Sequence, residues 1–62
     1  MFLSLTYAKD KRPKDADGKI LVNADRVQAI EKVAEGGTAI KTDSIWIYVQ
    51  ENFEDVAKKV LR

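Results

Sequence analysis

Asn23-Ala24-Asp25-Arg26-Val27-Gln28-Ala29-Ile30-Glu31-Lys32-Val33-Ala34-Glu35-Gly36-Gly37 is the stretch whose reading decides the fold, because two periodicities compete in it. As a helix, Asn23 caps the first turn, Val27, Ile30 and Ala34 fall at helical spacing, and Gly36 ends it. As a strand, Val27, Ala29, Glu31 and Val33 share one face, which alternates poorly. A third reading joins a single helical turn at Asn23-Ala24-Asp25 to a strand from Val27 to Val33. Local propensity favours the helix. After it, Gly36-Gly37 sits as in a tight hairpin that needs positive φ angles, and Thr38 to Thr42 alternates through Ala39 and Lys41 against Ile40.

On either side of this stretch the pattern is clearer. Upstream, Phe2 to Ala8 alternates, with Leu3, Leu5 and Tyr7 on one face and Ser4 and Thr6 on the other, which predicts a first strand. Lys9 to Gly18 is charged, holds the proline, and has nothing to bury, so it is expected to be an exposed loop (9–18). Ile20-Leu21-Val22 predicts a short second strand ending at Asn23. Downstream, Asp43-Ser44 makes a short connection into Ile45-Trp46-Ile47-Tyr48-Val49, all β-branched or aromatic and apolar on both faces. A C-terminal helix comes last. Asn52 is placed to cap it, with Asp55 three residues on, and Phe53, Val56, Ala57, Val60 and Leu61 form one apolar stripe. Glu54 and Asp55 in the first turn and Lys58, Lys59 and Arg62 in the last match the helix dipole.

The expected fold is α+β: a single domain over residues 1–62, with a small antiparallel β-meander or partly closed barrel of about five strands and one C-terminal helix. Ile45, Ile47 and Val49 are expected to pack on the helix stripe. That leaves Trp46 and Tyr48 on a second face that one helix cannot also cover, so either the sheet curls into a barrel or another subunit covers them.

Composition narrows the function. In 62 residues there is no cysteine and no histidine, which excludes disulfides, thiolate zinc sites and imidazole bases or ligands. Eleven Lys and Arg balance ten Asp and Glu, so no general pull toward polyanions is expected. The longest apolar run, Ile45 to Val49, is far shorter than a membrane span, and the N-terminus lacks the pattern of a signal peptide. A cytoplasmic protein without membrane association is expected. So short a chain buries only about 60% of its unfolded surface, which leaves tight packing and self-association as its means of stabilisation.

The order Asn23-Ala24-Asp25-Arg26-Val27, Ile30-Glu31, Thr38-x-Ile40 and Val49-x-Glu51-Asn52-x-Glu54-Asp55-Val56 resembles the small flagellar FlbD/SwrD-type proteins and similar short phage and bacterial proteins, over about residues 20–60. That family shows an N-x-D-x-I turn, an I-E strand, a T-x-I strand and a V-x-E-S-x-E-E-V ending. Asn52 stands where the family has serine, Asp43-Ser44 lacks its usual Asn-Gly, and the 9–18 loop is longer than a family hairpin. The resemblance implies that Val27–Val33 is a strand. Pairing with Thr38–Thr42 then outweighs tenths of a kcal/mol per residue of helix preference. It implies no catalytic constellation.

Residue types define the candidate sites. Ser4, Ser44, Thr6, Thr38 and Thr42 have no histidine to activate them, and Glu51, Glu54 and Asp55 at a helix start read as caps and dipole partners, so no enzyme activity and no small-molecule substrate are expected. Asp15-Ala16-Asp17-Gly18 begins like a calcium loop, but position 12 is Arg26 counted from Asp15 and Leu21 counted from Asp10, so no metal is expected. No cofactor is implied. Trp46 and Tyr48, with Phe2 and Tyr7, are the candidate interface of a self-associating or partner-binding accessory protein, a homo-oligomer or one half of a complex. Nucleic acid is the alternative partner, through Lys9, Lys11, Arg12 and Lys14, with the aromatic residues as stacking surfaces. Acids among those cations make a poor phosphate track.

Overall fold

The computed structural model describes residues 1–12 and 18–61. It contains five antiparallel strands and one C-terminal helix, an α+β fold. β1 (Phe2–Thr6) pairs with β2 (Lys19–Asn23), so that Leu3 lies opposite Val22 and Leu5 opposite Ile20. Alternation turns Leu3, Leu5 and Val22 into the core and leaves Phe2 and Leu21 on the outer side.

Pairing with β2 ends at Thr6, two residues before the expected strand end. The Tyr7 amide donates to the Gly18 carbonyl at 2.8 Å. The chain then crosses to another strand: the Ala8 amide donates to the Tyr48 carbonyl at 2.7 Å, and the Gln50 amide to the Thr6 carbonyl at 2.8 Å. Tyr7 and Val49 form the bridge at this crossing. One N-terminal segment therefore ties two sheets together.

The ambiguous stretch is not a helix. The side chain of Asn23 accepts the Asp25 amide at 3.0 Å and starts one 3-10 turn, η1 (Ala24–Arg26), a residue later than the turn expected from sequence. β3 (Val27–Lys32) comes next, and it pairs with β4 (Thr38–Thr42), with Ile30 opposite Ile40 and Lys32 opposite Thr38. The register shifts between Val27 and Ala29, which marks a bulge at Gln28. The hairpin closes through Val33 and Gly37, with positive φ at Gly36 and Gly37. β5 (Ile45–Val49) completes the sheet in the order β3-β4-β5. At the second turn Asp43 takes φ 53°, a conformation that aspartate tolerates better than most side chains and that stands in for an Asn-Gly turn. Among the described residues the strands do not close into a barrel.

Leu3, Leu5, Val22, Ile40, Val49 and Val56 form the core, and Ile30, Ile40 and Ile47 cross the three-stranded sheet as one row. The helix α1 (Phe53–Val60) contributes Val56, which is fully buried. Its principal neighbour is β3 and not β5 as the pattern suggests, so Ile45 stays exposed at the far end of its strand. Glu51 holds the approach to the helix: its carboxylate accepts the Thr6 amide at 3.0 Å, and its carbonyl accepts the buried Thr38 hydroxyl at 2.8 Å. Asn52 then caps α1 by accepting the Asp55 amide at 2.9 Å. Asn52→Ala is expected to lower stability by about 1 kcal/mol, read as a shifted urea midpoint at unchanged slope. No described helix is long and apolar enough to cross a membrane.

Candidate interaction surface

With Ile40 and Ile47 facing the core, strand alternation sends Trp46 and Tyr48 to the opposite side of the three-stranded sheet. Register places Trp46 across from Lys41 and Tyr48 across from Ala39, with Ala29 and Glu31 completing the same face on β3. Trp46 is 40% exposed and Tyr48 37% exposed. The two rings are two residues apart on one strand, about 6.6 Å along it.

The start of the 9–18 segment reaches this face. Ala8 is hydrogen-bonded to Tyr48, and the Lys11 amide donates back to the Ala8 carbonyl at 3.0 Å. That turn carries the Lys11 ammonium to 5.5 Å from the centroid of the Tyr48 ring, a cation–π arrangement. Three ion pairs occur among the described residues: the Met1 amino group with Asp25, Arg26 with Asp43, and Lys32 with Glu54. None involves Lys9, Lys11, Arg12 or Lys41, so Lys11 and Lys41 beside the aromatic rings have no acidic partner among the described residues. Lys14 lies outside the described residues.

The four candidate interface residues do not form one cluster. Trp46 and Tyr48 share a face. Phe2, 63% exposed, sits on the outer side of the β1–β2 pair, where Leu21 joins it diagonally at 66% exposure. Tyr7 is half-buried at the crossing between sheets, and its carbonyl accepts the Gln50 side chain at 3.1 Å. Leu21 does not stand out in sequence because Ile20-Leu21-Val22 is apolar throughout, although a central residue in a period-two run must face away from its neighbours. Lys41 joins the site only through the register of β4 against β5.

The carboxylates at the helix start have structural partners. Glu51 receives the Thr6 amide and Glu54 pairs with Lys32 at 3.6 Å. Among the described residues no group of three or more acids gathers as a metal cage would require; the Asp15 and Asp17 of the calcium-like stretch lie outside them. The surface is thus suited to contact: two amphipathic rings that hold apolar area at low cost in ordering, bordered by long-stemmed cations. Comparison with protein-family models, with curated proteins and with solved structures finds no match for this chain.

Proposed function

We propose that this chain is a non-catalytic interaction module that holds a protein partner through the outer face of β3-β4-β5, with Trp46 and Tyr48 as anchors. The observation that carries the reading is the side-by-side exposure of the two rings on the sheet face opposite the core. Tryptophan and tyrosine are the residue types that dominate binding energy at protein interfaces. Lys11 and Lys41 border them, so a partner with acidic groups around an apolar anchor is complementary. A two-fold contact of two copies through this face sets those same cations against each other. Phe2 and Leu21 offer a separate apolar patch on the β1–β2 pair, and Tyr7 contributes less. A cytoplasmic accessory factor of bacterial or phage origin, akin to the FlbD/SwrD-type proteins, belongs to the same proposal.

The Lys11–Tyr48 contact favours one second reading, a single-stranded nucleic acid stacked on the rings with its phosphates on Lys9, Lys11, Arg12 and Lys41. One experiment separates the two. A photo-crosslinking phenylalanine derivative in place of Trp46, irradiated in the cell of origin, is expected to give a protease-sensitive adduct. A nuclease-sensitive adduct supports the second reading, and no adduct removes both. Trp46→Ser is expected to keep the fold, since the ring lies outside the core, while the adduct formed from a crosslinker at position 48 falls at least several-fold.

A further inference from the structure

A second apolar opening lies apart from the rings of the sheet face. A groove of about 390 Å³ runs between the edge strand β3 and α1, lined by Val27, Ala29 and Ile30 on one wall and Phe53, Ala57 and Leu61 on the other. Leu61, just past the helix end, is 81% exposed at its rim. The helix stripe is therefore only half used: Val56 enters the core, while Phe53, Ala57 and Leu61 turn toward the groove.

We propose that the occupant of this groove is the α1 helix of a second copy, laid antiparallel about a two-fold axis at Ala57. The groove residues are symmetric about that position. Phe53 lies four residues before Ala57 and Leu61 four after it, so an antiparallel partner brings Phe53 of each copy to Leu61 of the other. Ala57 at the centre is small enough to let the helices approach. The charges are self-complementary in the same sense. Acids Glu54 and Asp55 occupy the first turn and bases Lys58 and Lys59 the last, so an antiparallel pair sets each acidic turn against a basic one, with the helix dipoles opposed. Glu54 and Lys58, one turn apart, each come directly after a groove-lining residue and flank the contact. This contact uses neither Trp46 nor Tyr48, and shares only Ala29 with the aromatic face. A dimer formed this way presents two copies of that face.

The test exchanges the flanking charges. Glu54→Lys and Lys58→Glu each place like charges across the two-fold axis, and each alone is expected to weaken the dimer about tenfold by sedimentation equilibrium. Mixing the two variants in equal amounts is expected to restore association as a heterodimer, which a mass tag on one variant identifies. Circular dichroism of each variant establishes that it is folded, and Leu61→Asp, altering a side chain outside the core, provides an independent disruption. Restored association in the mixture supports the proposal. A wild-type chain that sediments as a monomer, or variants that dimerise as wild type does, overturn it and leave the groove to another occupant. Trp46→Ser is expected to leave this dimer intact, so the outcome is separable from that of the sheet-face reading.

Discussion

Ile40→Ala is expected to leave much of the chain unfolded at room temperature. Ile40 is fully buried and stands between Ile30 and Ile47 in the row that crosses the three-stranded sheet. Its β-carbon branches fill the space between that sheet and the rest of the core, where Leu5, Val49 and Val56 are buried as completely. Truncation removes transfer free energy and leaves a cavity, together about 2–5 kcal/mol for a buried isoleucine. A core of this size supplies at most about 3–5 kcal/mol of net stability, so the loss consumes most of it. Thermal melting followed by circular dichroism reads the result. Ile40→Val, removing one methyl, is the graded control and is expected to cost about 0.5–1.5 kcal/mol. If the alanine variant melts within a few degrees of wild type, this row is not the centre of the core.

Gly37→Ala is expected to have an effect of similar size for a different reason. Gly37 has φ 84°, where an L side chain is strained, at about 1–2 kcal/mol. Unlike its neighbour, it is also sterically closed: a β-carbon there meets the carbonyl oxygen of Val49 inside contact distance. Relief requires the hairpin to move away from the end of β5, and Val49 is both a core residue and the partner of Tyr7. Overpacking of that kind adds about 1–3 kcal/mol. Gly36→Ala separates the two contributions. Gly36 has φ 110° but nothing within 4 Å of an added β-carbon, so only the backbone cost applies there. A Gly37 variant markedly less stable than the Gly36 variant by urea titration is the expected result. Equal midpoints would contradict the steric argument.

The elements most legible in the sequence are those specified locally. Asn52 and the dipole-matched charges of α1 act within one turn, and Ile45–Val49 consists of residues that suit an extended chain whatever its neighbours. Residues 27–32 are the opposite case. Their local preference is helical, and they are a strand because Ile30 and Lys32 meet Ile40 and Thr38 across the hairpin. The departure of the chain at Tyr7 is invisible in the alternation of Phe2 to Ala8, since a strand that changes partners keeps its period. The pattern leaves the principal neighbour of the helix open for a related reason: its stripe specifies that an apolar surface be covered but not how β3 and β5 share in supplying it.

The surface divides along the same line. Period two is sufficient to set Trp46 and Tyr48 apart from Ile47 and Val49. It does not reveal that Lys11 reaches Tyr48, which depends on the Ala8–Tyr48 hydrogen bond, nor that Lys41 faces Trp46, which depends on how β4 registers against β5. Phe2 and Trp46 belong together by residue type alone, and topology places them on different sheets. The helix groove is hidden because the stripe from Phe53 to Leu61 looks uniform in sequence, although Val56 is buried and Leu61, just past the end of α1, is exposed.

The crossing of the N-terminal segment onto β5 has a consequence for how the chain reaches this state. The Thr6 amide and the Glu51 carboxylate that receives it are 45 positions apart, and the Tyr7–Gln50 hydrogen bond spans 43. The β3-β4-β5 meander can form from near neighbours, but β1 docks only when the end of β5 is in place. Contacts so distant in sequence slow folding relative to helical proteins of similar size, toward the millisecond-to-second range. On the ribosome, β1 is synthesised well before the end of β5 on which it docks. Leu3 and Leu5, buried in the folded chain, therefore stay uncovered by β5 through that interval.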